Sequence, residues 1–234
     1  MNYIRSFARR GLRRLRLSRI HHPSITDFLV HEGIGTVFDV GANAGGYGLE
    51  IREQGYRGRI VSFEPIPEVY QKLVANCRSD PLWQSHQIGL GKDDQEMEIS
   101  VTTATVFSSL KAPTDYTVRK FVGATAERRE TIKVARLDTF LRASTELIGR
   151  GYLKIDTQGF EKEVLIGAGD CLGSFHAVQL EVALQPLYEN QQTWIPMIQF
   201  MSQKGFDVAM AKENGFDFDA MRLLEMDVVF IRRA

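Results

Sequence analysis

The 234-residue sequence has few of the residues that mark several common classes of protein. Its two cysteines, Cys77 and Cys171, lie far apart and form no Cys/His cluster. This disfavours a disulfide framework or a structural zinc site, and it indicates a reducing compartment, for which we take the cytoplasm. No run of apolar residues approaches the roughly 20 that a membrane-spanning helix requires.

The sequence also has no net charge, since 29 basic residues balance 29 acidic ones. A nucleic-acid-binding protein is expected to carry a basic surplus, so we expect no nucleic-acid partner. With 44% hydrophobic and 25% charged residues, the composition is typical of a folded globular chain rather than a disordered one. The length corresponds to one domain with at most an appendage.

The zero net charge conceals an uneven distribution. Residues 1–20 contain seven of the 29 basic residues and no acidic one, which leaves 22 basic against 29 acidic residues elsewhere. We therefore divide the chain into a basic N-terminal arm, residues 1–22, and a domain, residues 23–234. Apolar residues recur at helical spacing between the arginines, a pattern typical of a basic helix in peripheral contact with an anionic membrane. A helix packed on its own domain and a frayed terminus are the alternatives.

Beyond the arm, strand-like and helix-like patterns alternate, which predicts an α/β fold with a mostly parallel sheet and helices on both faces. The predicted strands are 36–40, 59–63, 85–90, 151–155, 177–182, 206–210 and 227–232, the last two forming an antiparallel pair. The predicted helices are 47–54, 67–77, 137–147, 161–166 and 195–203. Two further strands, 96–103 and 131–135, predict a small β-extension with a mobile, hydroxyl-rich loop between them.

A glycine turn follows the first predicted strand, in the run FDVGANAGG from Phe38 to Gly46. Glycines at this place let the backbone turn tightly and approach a ligand at the carboxyl edge of the sheet. Asn43 stands where a dinucleotide fingerprint has its second glycine, and Asp39 would repel a pyrophosphate but could pair with a cationic amino group. The turn thus favours S-adenosylmethionine over NAD, with an NAD-dependent oxidoreductase as the alternative function.

A carboxylate, Glu64, follows the second predicted strand and lies a little over 20 residues beyond the glycine turn. A carboxylate at this place accepts hydrogen bonds from both hydroxyls of a ribose, so we predict that Glu64 binds the ribose of the cofactor. The alternative is a solvent-facing glutamate that opens a helix, because Pro65 suits a first helical turn.

Five motifs in order give the chain a family resemblance: FDVGANAGGYG, VSFEP, VARLDTF, YLKIDTQGFEKEVLIGA and VQLEV. Together they resemble the FkbM-type methyltransferases over residues 35–232. The resemblance implies a class I, Rossmann-like methyltransferase fold with a seven-stranded sheet, and S-adenosylmethionine as cofactor. It also implies O-methylation of a hydroxyl on a glycan or another small-molecule natural product.

The resemblance further assigns residues to parts of the site. It implies that Asp39, Gly41, Asn43 and Gly45 surround the methionine portion of the cofactor and that Glu64 holds the ribose. It also implies that the LKIDTQGFE run faces the methyl group that is transferred.

Methyl transfer to an alcohol requires a group that takes up the hydroxyl proton, and a carboxylate within hydrogen-bond reach can do so. Asp156, at the carboxyl end of the fourth predicted strand, is our candidate for this catalytic base. The alternative is that Asp156 orders the loop that follows. For Glu161 we expect capping of the next helix rather than catalysis.

Four residues are weaker candidates for binding the acceptor. Lys154 is expected to pair with Asp156 or Glu181, or else to be a solvated lysine at a strand end. Glu181, which ends the fifth predicted strand, is a candidate acceptor ligand or a member of a structural ion pair. Ser108 and Ser109 belong to a loop that could cover a polyhydroxylated acceptor.

We predict no metal ion, because no spacing among Asp156, Glu161 and Glu181 requires one. We expect surface roles for His86 and His176, which the pattern places at strand starts, on the edge of the sheet away from the site. The sequence predicts no oligomeric state.

Overall fold

The structure is a computed structural model, and it describes residues 23–144 and 150–233. The basic arm and the end of the helix predicted over 137–147 lie outside these residues. The helices are α1 Ile25–His31, α2 Gly46–Glu53, α3 Pro67–Cys77, α4 Asp115–Lys120, α5 Leu137–Ala143, α6 Glu161–Ala168 and α7 Trp194–Gln203. The strands are β1 Thr36–Val40, β2 Arg59–Phe63, β3 Trp83–His86, β4 Gly89–Leu90, β5 Gln95–Thr102, β6 Ala126–Ala135, β7 Gly151–Ile155, β8 Phe175–Ala183, β9 Phe206–Asp217 and β10 Arg222–Arg232.

In the described part of the chain, seven strands form the main sheet, in the order β3-β2-β1-β7-β8-β10-β9. The first five in this order are parallel neighbours, and β10 runs antiparallel to both β8 and β9. The chain moves outward from β1 in one direction through β2 and β3, and from β7 in the other direction through β8. The carboxyl edge between β1 and β7 is therefore the point where an α/β sheet of this kind binds its ligand. The predicted class I methyltransferase fold is confirmed.

Each face of the main sheet packs against its own hydrophobic core. Phe38 and Val40 of β1 point into one core, together with apolar residues of α5, α6 and α7. Val37 points into the other core, which includes residues of α1, α2 and α3. Every residue of β1 and β7 is buried, because both strands are covered on both faces.

The predicted β-extension is a separate three-stranded sheet, in the order β4-β6-β5. The segment between β5 and β6 is more regular than the mobile loop we predicted, because it contains a 3₁₀ helix, Thr105–Phe107, and the helix α4. Thr114 caps α4, because its side chain accepts a hydrogen bond from Thr117 N. The sequence of this helix has no strong apolar periodicity that would predict it.

The predicted third strand, 85–90, was wrong in its bounds. The strand of the main sheet is β3, which starts two residues earlier, and Gly89–Leu90 pairs with β6 instead. Trp83 begins β3 because its ring is buried and its Nε1 donates a hydrogen bond to Ser62 Oγ at 2.9 Å. As a consequence His86 lies at the carboxyl end of a strand, not at a start. Its ring packs against the rings of Phe63 and Phe140.

His176 does lie near the start of β8, as predicted, where its Nε2 is 2.7 Å from Glu32 Oε2. In the described part of the chain, no helix has the length and apolar character needed to cross a membrane.

We expect Gly48→Ala to destabilise the fold by about 1–3 kcal/mol, the usual cost of overpacking a core. A Cβ at Gly48 would lie 2.2 Å from the Trp83 ring, which is held by its hydrogen bond to Ser62. Gly46→Ala is the matched control, because it lies in the same helix and its Cβ would meet nothing within 4 Å. Urea unfolding of both variants measures the difference, and equal midpoints would contradict the crowding argument.

Candidate active site

A cavity of about 320 Å³ opens at the carboxyl edge of the main sheet. Its walls come from the glycine turn after β1, the loop after β2, the loop after β7 and the 3₁₀ segment of the β-extension. Of the residues predicted from the sequence, seven line it: Gly41, Asn43, Glu64, Ser108, Ser109, Asp156 and Glu181. The structure therefore brings these seven predicted residues together at one cavity, whereas three others, Asp39, Gly45 and Lys154, do not line it.

Gly41, directly after β1, lies against the backbone of Asp156, directly after β7. Its φ is +76°, and a Cβ there would lie 1.8 Å from the backbone oxygen of Asp156. The Gly41 backbone N–H donates to Phe63 O at 3.1 Å, and Asp156 N donates to Val40 O at 3.0 Å. No side chain fits at position 41 without moving the loop that carries Asp156.

Asn43 and Gly45 complete the turn in left-handed conformations, with φ values of +48° and +88°. Asparagine tolerates this conformation because its side chain bonds locally, and here Asn43 Oδ1 accepts from Ala44 N at 2.7 Å. Its Nδ2 donates to Thr105 Oγ1 at 3.3 Å, which links the turn to the β-extension. A Cβ at Gly45 would lie 2.9 Å from Leu73, so this glycine packs the turn onto α3.

Glu64 is buried, and its carboxylate joins the loops after β1 and β2. Oε2 accepts from Asn43 N at 3.0 Å, and Oε1 accepts from Ile66 N at 2.9 Å. Burial raises the pKa of Glu64 to about 7, although the two N–H donors favour its charged form. The alternative of a solvent-facing glutamate is wrong.

Asp39 and Lys154 are register partners on β1 and β7, on the sheet face that packs against α2. Lys154 Nζ lies 3.0 Å from Asp39 Oδ1 and 3.4 Å from Asp156 Oδ2. Burial by itself would lower the pKa of Lys154, but the charges of Asp39 and Asp156 outweigh it and raise this pKa. The predicted pairing of Lys154 with Asp156 is present, and Lys154 is not a solvated lysine.

The loop between β7 and α6 is ordered by Glu161. One oxygen of its buried carboxylate accepts from Thr157 N at 2.9 Å and from Gly159 N at 3.1 Å. Burial raises the pKa of Glu161 to about 7. Both donors precede α6, so Glu161 orders the loop before the helix, and within the residues that the structure describes no side-chain hydrogen bond of the kind we predicted caps the helix itself.

Asp156 and Glu181 face the cavity from the ends of β7 and β8. The Asp156 side chain is 37% exposed, whereas Glu181 is 8% exposed. Burial, and then the charges of Asp156 and Glu225, raise the pKa of Glu181 well above its ordinary value. Of these two carboxylates, that of Asp156 is therefore the more accessible from the cavity.

The two predicted serines differ in how their hydroxyls are used. Ser109 Oγ donates to Gln158 O at 2.7 Å and accepts from Lys111 N at 2.9 Å, so it fastens the extension to the loop after β7. Ser108 Oγ accepts from Thr102 N at 3.1 Å within the extension itself. Both hydroxyls therefore have contacts that fix the position of the segment over the cavity.

Two residues of the site, Gln158 and Glu225, were missed in the sequence. The Gln158 side chain bonds to Asp156 and Glu181, and Tyr188 bonds to Gln158. Glu225 lines the cavity from β10, and burial raises its pKa to about 8. Gln158 lies inside the most diagnostic motif, but the identity of its partners depends on the register of three strands. Glu225 precedes the strand predicted over 227–232.

Within residues 23–144 and 150–233, no group of three or more His, Cys, Asp or Glu side chains has a geometry that could hold a metal ion. The carboxylate of Glu161, which we had considered as a metal ligand with Asp156 and Glu181, is turned toward backbone N–H groups of its own loop.

The Methyltransferase FkbM domain profile matches residues 39–208, from the glycine turn into β9. This span is more than half of the sequence and contains each of the site residues above except Glu225. The chain belongs to the FkbM methyltransferase family. It is an S-adenosylmethionine-dependent methyltransferase, and nothing supports the alternative of an NAD-dependent oxidoreductase.

Curated relatives of this FkbM methyltransferase include Methyltransferase 1 of Beauveria bassiana (strain ARSEF 2860). It is 24% identical over 191 residues, which cover 76% of this chain and 74% of the relative. A second relative is the AMB antimetabolite synthetase AmbE of Pseudomonas aeruginosa. It is 30% identical over 176 residues, which cover 62% of this chain but only 8% of that much longer protein.

Solved structures similar to the FkbM methyltransferase include the magnesium protoporphyrin IX methyltransferase ChlM from Synechocystis PCC 6803 with bound S-adenosylmethionine. The TM-score is 0.49 at 11% identity, with 100% of this chain and 85% of that chain covered. Aeropyrum pernix fibrillarin gives a TM-score of 0.46 at 12% identity, with 85% and 66% covered. The assignment rests on the family match and the strand order rather than on these superpositions.

Proposed function

We propose that this FkbM methyltransferase transfers a methyl group to a hydroxyl of a saccharide or another small-molecule natural product, with Asp156 as the base. The observation that supports this proposal most directly is the position of Asp156. Its carboxylate is partly exposed in the cavity, while its backbone lies directly against Gly41 of the glycine turn. The base and the cofactor turn are therefore adjacent parts of one cavity.

The residues of the cavity fit S-adenosylmethionine. Gly41 lets the turn lie against the loop that carries Asp156, Asn43 adds no charge to the turn, and Gly45 keeps the turn folded onto α3, an arrangement that suits the methionine portion. The Glu64 carboxylate has lone pairs beyond those used by its two N–H donors, and these can accept from ribose hydroxyls. When bound, the cofactor supplies a methyl group on a positively charged sulfur.

Asp39 acts through Lys154 in this proposal rather than by contact with the cofactor. Its carboxylate is fully buried and is paired with Lys154 Nζ, which in turn reaches Asp156. Lys154 is a fixed cation beneath the base, so it limits the orientations that the Asp156 side chain can adopt. Lys154 is thus a positioning residue and not a ligand of the acceptor.

The chain's residues have three tasks in the reaction. The walls of the cavity would hold the acceptor oxygen close to the methyl group that bound S-adenosylmethionine would supply, and such positioning provides much of the rate in a displacement. Asp156 accepts the proton that the acceptor hydroxyl loses when it is methylated. Glu181 accepts a second hydrogen bond from the acceptor and orients it.

Two observations support a sugar or natural product as acceptor. The cavity combines carboxylates at one end with the hydroxyl-rich segment 105–110 at its roof, a set of groups that suits a polyhydroxylated molecule. One relative is named as a synthetase of an antimetabolite, which favours a small molecule. Since the chain has no basic surplus, a nucleic acid is not part of the proposal.

The acceptor is identified by incubating the protein with methyl-labelled S-adenosylmethionine and fractionated small-molecule and glycan extracts. We expect label in a product whose new methyl group is on oxygen. In that assay Asp156→Asn should lower kcat by about 10²–10⁴-fold, the usual contribution of a general base, with unchanged affinity for S-adenosylhomocysteine.

Asp207→Asn is the matched control for this prediction, because it makes the same change on the opposite edge of the sheet, where Asp207 pairs with Arg233. Full turnover in Asp156→Asn would remove the base from the mechanism, and label on nitrogen or carbon would contradict O-methyl transfer.

Glu64 gives the cofactor affinity a pH dependence. Only the charged carboxylate can accept from two ribose hydroxyls, and the pKa of about 7 means that it is mostly protonated at pH 6. We therefore expect S-adenosylhomocysteine to bind about tenfold more weakly at pH 6 than at pH 8 in calorimetry.

Glu64→Gln should bind more weakly at pH 8 and lose the pH dependence. Glu68→Gln is the control, since that carboxylate lies on the exposed side of α3 and should keep the wild-type profile. If the affinity of Glu64→Gln for S-adenosylhomocysteine still changed between pH 6 and pH 8, the pH dependence would have to come from another group.

The basic arm supports a separate proposal, peripheral contact of the protein with an anionic membrane. Seven arginines without a compensating acid attract anionic lipid headgroups, each by about 1 kcal/mol near the surface. Deleting residues 1–20 should leave S-adenosylhomocysteine binding unchanged and reduce sedimentation with vesicles that contain phosphatidylserine. Vesicles of neutral lipid are the control, and equal sedimentation of both forms with anionic vesicles would refute the contact.

A further inference from the structure

Gln158 has a backbone conformation that is uncommon for a residue with a side chain. Its φ is +53°, in the turn between β7 and α6 that lines the cavity. Its carbonyl oxygen accepts from Ser109 Oγ at 2.7 Å, and a Cβ at the following Gly159 would press on Tyr188 at 2.9 Å. Left-handed residues other than glycine are uncommon and are often associated with functional sites.

The side-chain amide of Gln158 contacts three groups at once. Its Nε2 donates to Asp156 Oδ1 at 2.9 Å and to Glu181 Oε2 at 2.7 Å, and its Oε1 accepts from the Tyr188 hydroxyl at 2.8 Å. The chemistry of the partners fixes this orientation, because a carboxylate only accepts, whereas a tyrosine hydroxyl can donate. Burial raises the pKa of Tyr188, so its hydroxyl keeps the proton that it donates.

We propose that Gln158 is a positioning residue for methyl transfer, which holds the Asp156 and Glu181 carboxylates in one orientation toward the acceptor. This inference rests on the proposed role of Asp156 as the base. Glutamine suits the position because one nitrogen carries two N–H donors, one for each carboxylate, while the oxygen on the same carbon accepts from Tyr188. An aspartate or glutamate would bring another negative charge, and an aliphatic residue would supply no donor.

The charges around Gln158 explain why a neutral bridge is needed. The titratable groups that face this region are Asp156 directly after β7, Glu181 on β8, Glu161 on α6, Glu225 and Asp227 on β10, Tyr188 after β8 and Lys154 beneath Asp156. The charge of Lys154 is already shared between two carboxylates, those of Asp39 and Asp156. All the hydrogen-bonding groups of the Gln158 amide have partners, and its two N–H donors lie between the two carboxylates. The carboxylates can therefore lie close together without a second buried cation.

The same residue connects the carboxylates to the β-extension. Ser109 holds the Gln158 backbone, and the Tyr188 hydroxyl lies 3.3 Å from Phe107 O as well as 2.8 Å from the Gln158 amide. The segment that roofs the cavity therefore bonds directly to the backbone of Gln158 and lies against the tyrosine that holds its side chain. An acceptor that shifts this segment also shifts the carboxylates that it meets.

Two variants and one control test the inference by methyl transfer. Gln158→Met keeps the length of the side chain but removes both donors, and Gln158→Glu keeps its shape but adds a charge. With the acceptor that the wild-type protein labels, we expect each to lower kcat by at least about tenfold at pH 8, with KM for S-adenosylmethionine changed less than about twofold. Gln84→Glu, on the exposed face of β3, is the matched control and should leave both constants unchanged.

The pH profile separates positioning from a loss of folding. At pH 6 a larger share of the new carboxyl in Gln158→Glu is protonated, so it loses its charge and donates one hydrogen bond. The deficit of this variant should therefore shrink from pH 8 to pH 6, whereas that of Gln158→Met should not follow this course. A deficit in Gln158→Glu that is independent of pH, or wild-type kcat in Gln158→Met, would overturn the inference.

A second measurement needs no acceptor and so distinguishes failure of this inference from failure of the proposed function. In protein labelled with ¹³C at glutamate carboxyls, Glu181 should titrate at higher pH in Gln158→Met than in the wild-type protein, because a donor to its charged form is lost. An unchanged titration overturns the inference even if Asp156 proves to be the base. Turnover in Asp156→Asn overturns the proposed function instead.

Discussion

The site depends on how closely two backbones approach each other at the centre of the main sheet. β1 and β7 are neighbours over their whole length, and the turn after β1 lies directly against the chain that leaves β7. The absence of a side chain at Gly41 allows this contact, which places the glycine turn and Asp156 on one cavity wall. A larger residue would push apart the two loops that a methyltransferase has to hold together.

Charge is arranged around this contact in two layers. Beneath the wall, Asp39 and Lys154 form a buried pair on register-matched residues of β1 and β7. Removing one partner of such a pair typically costs about 3–5 kcal/mol, because the other charge stays buried and unpaired. Above the wall, most of the charged groups are carboxylates, and they are held by N–H donors of the amide of Gln158 and of the loop backbones. The buried ion pair is therefore structural, and the charged side chains that line the cavity are acceptors of hydrogen bonds.

Much of this was readable from the sequence, and the failures have physical causes. The strands at 36–40, 59–63 and 151–155 were predicted with correct bounds, because buried parallel strands are rich in apolar residues and each of these runs is followed directly by a glycine or a charged residue. Asp39 was expected at the cofactor because it precedes the glycine turn, but strand alternation places its side chain on the α2 face, opposite Lys154. His86 was assigned to the wrong end of a strand, and Gln158 was given no role. The surroundings of both residues depend on contacts between segments that are distant in sequence, which a local pattern cannot predict.

The packing behind the glycine turn also gives the protein an optical property. The chain has two tryptophans. Trp83 is buried and its ring lies within 3.3 Å of where Cβ atoms would be at Gly45 and Gly48, whereas Trp194 is partly exposed at the start of α7. Intrinsic fluorescence thus comes from one shielded tryptophan, Trp83, directly behind the glycine turn, and from one partly exposed tryptophan, Trp194, at the start of α7. The emission of Trp83 depends on the polarity of its surroundings, so it reports on the glycine turn without any added label.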